Sequence, residues 1–439
     1  MTRNWIQGGN AGTIAASIEQ GLHGGRAAGG DALPTVRELA ATLEVSPATV
    51  AAAYKLLRTR GLIAGQGRQG TRFAARPATP IGAVAPAIPP GTVDLASGSP
   101  DPDLLPPFDT ALRSIRTESR LYGDEPHLRA LVAFAAADFE SDGIPSGSIS
   151  VLSGALDAVE RILREHLRPG DRVAVEDPSF PGITDLVQAS GFIAVPFAID
   201  DEGPLPDSIE QALKGSSRAL IVTPRAQNPT GAAISPARAV ALRQVLRRFP
   251  DAVLIENDYA SPIAGAPAVT LVDASRERWA VVRSTSKFLG PDLRVALMAG
   301  DDLTSARVQG RQALGMRWVS HILQQLTLAL WSDPSSGRRL ARAAEIYAQR
   351  RSALLGALAS RGIAAHGTSG LSVWIPVRDE AHVVRACADR GWAVAAGERF
   401  RLRTAPAIRI TISTLTPPDA ERFAADLAEV LRPTRAGFA

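Results

Sequence analysis

Between Ala74 and Pro90 the chain runs through alanine and proline with almost no charge, including Pro77, Pro80, Pro86, Pro89 and Pro90. Such a stretch cannot pack a core and behaves as a semi-extended spacer, so the chain must fold as at least two bodies. The two sides also differ in charge. Residues 1–76 carry nine Lys/Arg against four acids, net +5, which leaves the remainder close to −1 in a chain of net charge +4. A small basic head on a near-neutral body suits a head that meets a polyanion. The expected boundaries are 1–75 for the head, 76–91 for the linker and 92–439 for the body. The body divides into a large part at about 120–320 and a smaller C-terminal lobe at about 321–439.

The head reads as three short helices and a hairpin. Ile14, Ile18 and Leu22 recur at four-residue spacing over residues 12–24, closed by Gly24-Gly25. Thr35-Val36-Arg37-Glu38 has the capping-box pattern after Pro34 and opens a second helix with Val36, Leu39, Ala40 and Leu43 on one face. A third begins with Ser46 as N-cap and Pro47 at the first helical position, and runs through Val50, Tyr54 and Leu57 to Arg60. Two short strands, Leu62-Ile63 and Thr71-Arg72-Phe73, flank the glycine-rich, basic tip Gly65 to Gly70. Three helices and a wing form a winged helix-turn-helix pattern, where a plain helical bundle would need no such tip.

In the body, apolar runs at 150–152, 172–175, 194–197, 219–222, 253–255 and 280–282 alternate with helices near 154–167, 180–190, 206–214 and 235–249. Strands buried on both faces and joined through helices make a mostly parallel α/β sheet, whose ligands gather at the carboxyl ends of the strands. Cys387 is the only cysteine, so an intrachain disulfide and a cysteine-based metal site are both excluded, and a reducing compartment fits. The six histidines lack ligand spacing, so no metal is expected. Met1 to Asn10 are polar, and no apolar run reaches membrane-spanning length, which points to a cytoplasmic protein.

One residue at such a strand end stands out. Lysine occurs only at Lys55, Lys214 and Lys287, against a large excess of arginine, and Lys287 is bracketed by hydroxyls in Arg283-Ser284-Thr285-Ser286-Lys287. An arginine supplies charge but forms no imine, whereas a desolvated lysine amine can lose its proton and attack an aldehyde. Lys287 is therefore a Schiff-base candidate. Ser153-Gly154-Ala155 lies between a strand and a helix, where a hydroxyl and backbone N–H groups can hold a phosphate at the positive end of the helix dipole.

Together these motifs resemble the MocR subfamily of bacterial transcriptional regulators, in which a GntR-type winged helix is fused to a fold-type I, aspartate aminotransferase-like domain that binds pyridoxal 5'-phosphate (PLP). The likeness covers residues 11–430 approximately, with its motifs in family order. It implies that Lys287 holds PLP and that Ser284, Ser286 and Arg294 complete the phosphate cup with Ser153, Gly154 and Ala155. Tyr122 matches the tyrosine that reaches the phosphate of a neighbouring subunit, which implies a head-to-tail homodimer. Phe180 corresponds to the aromatic stacked on the pyridine ring. Asn228, with Tyr259, corresponds to the donors to the ring hydroxyl oxygen, and Arg409 to the arginine that clamps a substrate carboxylate. In the head, the resemblance assigns DNA contacts to Arg37, Ser46, Thr49, Arg68 and Gly70.

Two departures shape the expected function. The family's Glu-Asp-Asp motif reads Glu256-Asn257-Asp258-Tyr259 here, so an asparagine stands where an aspartate usually meets the pyridine nitrogen. Asn257 holds no charge to keep that nitrogen protonated, and the cofactor becomes a weaker electron sink. Asp258 could take its place only by rotating in, since neighbouring strand residues point to opposite faces. The recognition helix is alanine-rich, with Ala48, Ala51, Ala52 and Ala53 where relatives carry arginines, so DNA affinity should rest on backbone contacts and be salt-sensitive. The resulting expectation is a PLP-binding transcriptional regulator with at most weak transaminase activity. PLP, or its reaction with an amino-group effector, modulates binding to operator DNA, and the run Lys287 to Arg294 resembles members that regulate vitamin B6 salvage. The alternative is an active aminotransferase with an accessory helix-turn-helix module. A third reading, a regulator that has lost PLP, conflicts with the intact cup.

Overall fold

The computed structural model describes residues 5–23, 26–27, 30–59, 62–65, 70–73, 88, 91–116, 118–273 and 275–432. Gly24-Gly25, Arg60, Gly61, the wing tip with Arg68 and most of the linker lie outside the described residues, as do the side chains of Leu22 and Arg58.

The head contains helices Ala11–His23, Val36–Thr42 and Pro47–Thr59, followed by strands β1 (Ile63–Gly65) and β2 (Thr71–Phe73). The capping box forms as its sequence requires: the Glu38 N–H donates to Thr35 Oγ1 at 3.2 Å, and the Thr35 N–H donates to Glu38 Oε2 at 2.9 Å. Ile14, Ile18, Leu39, Val50, Tyr54, Leu57, Ile63 and Phe73 make one buried cluster, with the Tyr54 hydroxyl donating to the Pro34 carbonyl at 2.7 Å. The strands pair antiparallel, Ile63 with Phe73 and Gly65 with Thr71. The segment 30–33 adds a third line to this wing: the Leu33 N–H donates to Thr71 O at 2.7 Å and the Phe73 N–H to Asp31 O at 2.8 Å. That addition carries no apolar alternation and left no signal in the sequence.

The body opens with β3 (Val93–Leu95). It continues through β4 (Ser148–Leu152), β5 (Arg172–Asp177), β6 (Ile193–Asp200), β7 (Gly203–Pro204), β8 (Ser217–Val222), β9 (Val253–Asp258), β10 (Trp279–Ser284) and β11 (Ala296–Gly300). The last strands are β12 (Ser372–Pro376), β13 (Trp392–Ala396) and β14 (Ala407–Thr411). Eight strands form the large sheet in the order β4-β11-β10-β9-β8-β5-β6-β7, and every expected apolar run falls in one of them. The short β7 and β11 match none of those runs. β11 is the longer of the two. It runs antiparallel to both β10 and β4, so it directly follows β10 through the Lys287 loop without a crossover helix.

The smaller sheet has the order β12-β14-β13-β3. Its fourth strand comes from the start of the body, so the C-terminal lobe is completed by residues adjoining the linker. A helix of 26 residues, Pro334–Ala359, precedes this lobe and packs against the terminal helix Pro417–Val430. Asp177, at the end of β5, accepts N–H bonds from Leu402, Arg403 and Thr404 at 2.7–3.0 Å, which ties a small-lobe loop to the large sheet. No described helix is long and apolar enough to cross a membrane.

Candidate cofactor and ligand site

The strand register gathers the phosphate-type groups at one place. Ser284 pairs with Ala296, and Ala296 pairs with Leu152, so the residues following β4 and β10 and preceding β11 meet at the same end of the sheet. There the helix Ala155–His166 begins, with Gly154 as its N-cap at φ +102°. Arg294 lies against this glycine. A Cβ at Gly154 would sit 2.7 Å from Arg294 Nη2, so only glycine lets the guanidinium approach the helix N-terminus. The Ser284 hydroxyl donates to Ser286 Oγ at 3.1 Å. Ser153, Gly154, Ala155, Ser284, Ser286 and Arg294 are thus assembled around N–H groups, hydroxyls and a cation.

Alternation along β9 decides between Asn257 and Asp258. Asn257 pairs with Val282 and shares the face of Ser284, whereas Asp258 pairs with Arg283 and takes the opposite face. Asn257 is buried, and its Oδ1 has no hydrogen-bond partner, as fits a group whose partner is a ligand. Asp258 is fully occupied elsewhere. Arg225 grips it with two bonds of 2.9 and 2.8 Å, and Arg283 Nε adds a third at 3.2 Å. Both arginines also reach Asp142, and Arg283 bonds Asp138. Burial alone would raise the Asp258 carboxyl, but the bonds and charge of Arg225, then those of Arg283, outweigh it and hold the group below its ordinary value. Asp258 is therefore committed to a buried ion network on the opposite face of the sheet and does not rotate in to take the place of Asn257, so the candidate cofactor contact at Asp258 is not brought together with the others.

Lys287 follows β10 and is half-buried. Its Nζ donates to the carbonyl of Gly98 at 2.8 Å. Burial, and then the positive charge of Arg409, push its amine down to about 8. Arg409 itself is buried on β14, with its guanidinium carbon 4.9 Å from the Phe400 ring centre. Its Nη1 is 3.5 Å from Asn228 Oδ1, its Nη2 donates to the Ala96 carbonyl, and its Nε has no partner. Desolvation pushes this guanidinium down to about 10, because its described partners are neutral oxygens and the neighbouring Tyr259 and Asp94 offset it only in part. A buried cation so placed is suited to receiving a carboxylate.

Asn228 lies in a loop braced by Gln227, which the sequence reading did not single out. Gln227 donates to Glu176 Oε2 at 3.0 Å and to the Pro178 carbonyl at 2.8 Å, and its Oε1 accepts from the Thr230 N–H and hydroxyl. Burial raises Glu176 to about 7 despite the bonds from Thr223 and Gln227. The Tyr259 hydroxyl donates to the Ala226 carbonyl in the same loop, and burial raises this phenol above its ordinary value. Phe180 is 40% exposed, and its ring and the Leu156 side chain of the phosphate-end helix both lie beside Gly182.

Tyr122 is not brought to the cup within the chain. It is 81% exposed, edge-on to Trp318 and beneath Arg317. In the head, Arg37, Ser46 and Gly70 are exposed and Thr49 is half-buried; the Thr49 N–H donates to Ser46 Oγ at 3.1 Å, so both hydroxyl residues sit at the start of the third helix. Among the described residues no His/Cys/Asp/Glu cluster suited to a metal is found.

These groups fit PLP: a cradle that a Cβ would fill, an unpaired buried amide oxygen of Asn257 on the face of Ser284, and a lysine with a depressed pKa that follows two hydroxyls. A winged helix joined to such an aminotransferase scaffold defines a class, the regulators built on a PLP-enzyme fold. Residues 92–427 match the family model "Aminotransferase class I and II" and residues 10–73 the model "Bacterial regulatory proteins, gntR family", and the chain belongs to the MocR subfamily that joins the two. It is 40% identical to the vitamin B6 salvage pathway transcriptional repressor PtsJ of Salmonella typhimurium, across 97% of this chain and 99% of that protein. It is 27% identical to the pyridoxine biosynthesis transcriptional regulator PdxR of Corynebacterium glutamicum, across 74% and 73%. The fold is also that of the multiple substrate aminotransferase from Thermococcus profundus, at a TM-score of 0.71 and 19% identity, covering 78% of this chain and 92% of that one.

Proposed function

We propose that the chain is a transcriptional regulator that holds PLP at Lys287 and binds operator DNA through its winged head according to that occupancy. The observation that carries this reading is the Lys287 amine set beside the Ser284, Ser286, Gly154 and Arg294 cradle in the same chain as a GntR head. The alternative, an active aminotransferase with an accessory head, is disfavoured by Asn257.

When bound, PLP supplies an aldehyde that takes up amines and a pyridine ring that withdraws electrons. In this reading Ser153, Gly154, Ala155, Ser284, Ser286 and Arg294 hold its phosphate, and Phe180 covers one ring face. Asn228 and Tyr259 meet the ring hydroxyl oxygen. Asn257 meets the ring nitrogen through a neutral amide, which orients the ring without fixing a proton on it. Arg409 offers its guanidinium to the carboxylate of an amino-group effector. Tyr122, exposed on one protomer, completes the cup of a second in a homodimer.

Lys287 is captured by an aldehyde only as the neutral amine. At pH 7 an amine of pKa about 8 is neutral in roughly one molecule in ten, some 300-fold more than an ordinary lysine. The rate of PLP capture should therefore rise nearly tenfold between pH 6 and 7 and level off above pH 8, as followed by stopped-flow absorbance. A flat profile would remove the role assigned to the amine.

Asn257→Asp should place a carboxylate at the ring nitrogen. We expect the single-turnover conversion of an added amino acid to rise at least tenfold, and the protein without PLP to melt at lower temperature because the new charge is buried unpaired. Unaltered turnover would mean that the ring nitrogen lies elsewhere.

The decisive experiment for the whole reading is selection of bound DNA from a random pool with and without PLP. A recovered consensus whose retention changes with PLP supports it. Recovery of no consensus in either arm, together with multiple-turnover transamination, favours the enzyme.

A further inference from the structure

The segment between β3 and Pro100 belongs to none of the family motifs quoted above, yet it holds both cations of the site. Lys287 Nζ donates to the Gly98 carbonyl at 2.8 Å, and Arg409 Nη2 donates to the Ala96 carbonyl. The segment is itself firmly shaped. Asp94 Oδ1 accepts from the amides of Ala96 and Ser97 at 2.8 and 2.9 Å, and the Gly98 N–H donates to Thr411 Oγ1 at 3.1 Å. Gly98 has φ +68°, and a Cβ there would lie 2.8 Å from Arg409 Nη1, so the approach of cation to backbone requires glycine. Upstream, β3 lies parallel to β13, and the Val93 N–H donates to the Gly391 carbonyl at 2.9 Å. In sequence, Val93 lies two residues past the expected end of the linker at residue 91.

We propose that Ala96–Gly98, capped by Asp94 of β3, is a strap that senses both ligand-binding cations and passes their engagement to β3, where the linker to the winged head is rooted. This deepens the reading of Lys287 and Arg409 given above and rests on it. When the Lys287 amine condenses with an aldehyde, its nitrogen bonds the carbonyl carbon, and the aldehyde oxygen leaves as water with the two amine hydrogens. The nitrogen then has at most one N–H and loses its freedom to serve Gly98. A carboxylate competes for Arg409 with a stronger, charge-assisted bond than the Ala96 carbonyl can offer. Each event removes one anchor, leaving the strap to the Asp94 cap and Thr411.

Hydrogen exchange of the full-length protein, read on peptides covering residues 93–99, tests this with PLP as the probe and its absorbance recorded on the same samples. PLP should accelerate exchange of these peptides at least threefold in the wild type. Lys287→Arg keeps a charge near Gly98 but cannot condense, and should show no acceleration. Unchanged or slower exchange in a wild-type sample whose absorbance reports bound PLP overturns the strap, as does equal acceleration in Lys287→Arg. If the wild type shows no absorbance change with PLP, the cofactor reading itself fails and the strap loses its trigger. Gly98→Ala, which crowds Arg409, should exchange rapidly even without PLP, and a wild-type rate would overturn the anchoring. Should that variant fail to fold, Asp94→Ala removes two strap bonds without removing a hydrogen bond of either cation and must show the same acceleration.

Discussion

Replacing Lys287 by alanine is expected to abolish the absorbance that PLP acquires on binding and to make DNA retention indifferent to added PLP. The other proposed cofactor contacts remain, so the cradle of Ser153, Gly154, Ser284, Ser286 and Arg294 is expected to collect PLP weakly and reversibly, by contacts that leave the aldehyde unreacted. The covalent link and the polar contacts are thereby separated. The fold should survive, because the Lys287 amine makes one described hydrogen bond, to the Gly98 carbonyl, and its removal also relieves the desolvation that depresses its pKa. Absorbance titration and a gel-retention assay on the same variant check both halves. Full PLP responsiveness in Lys287→Ala would show that the regulator senses PLP without condensation.

The largest expected loss of stability lies one residue from Asn257. Asp258→Ala leaves Arg225 and Arg283 buried with Asp138 and Asp142 as their remaining carboxylates, and breaking such a network by removing one partner costs about 3–5 kcal/mol. Asn257→Ala should cost far less, because the buried Oδ1 it removes has no protein partner to forsake. Denaturant unfolding followed by circular dichroism measures the difference. The PLP spectrum of the folded fraction should be retained in Asp258→Ala and altered in Asn257→Ala. The opposite pattern would mean that Asp258 faces the cofactor.

That neighbouring pair also indicates what could be read from sequence. Strand alternation already placed Asn257 and Asp258 on opposite faces, since it is a local property of any strand. What Asp258 does on its face was invisible, because Asp138, Asp142, Arg225 and Arg283 come from three distant segments that only the packed sheet brings together. Arg283 even stood inside the quoted lysine motif without revealing its role. The capping box at Thr35 was legible for the same local reason as the alternation. β11 was missed because its short apolar run follows the Lys287 motif directly, without the crossover helix that marks the parallel strands. The strap escaped because its function resides in backbone carbonyls, which every residue possesses. Its one signal was Ser97-Gly98-Ser99-Pro100, a turn-like string with a glycine in the left-handed region.

The third helix of the head offers a different kind of consequence. Ala48, Ala51, Ala52 and Lys55 fall on its exposed side, while Val50, Ala53, Tyr54 and Leu57 hold the core from the other. An arginine or asparagine at 48, 51 or 52 would cost the fold almost nothing and could add about 1–3 kcal/mol of discrimination for a single base pair. The surface that would choose an operator is thus nearly blank, and free to drift. A lineage carrying this scaffold could acquire new target genes by single substitutions while its cofactor site stays unchanged.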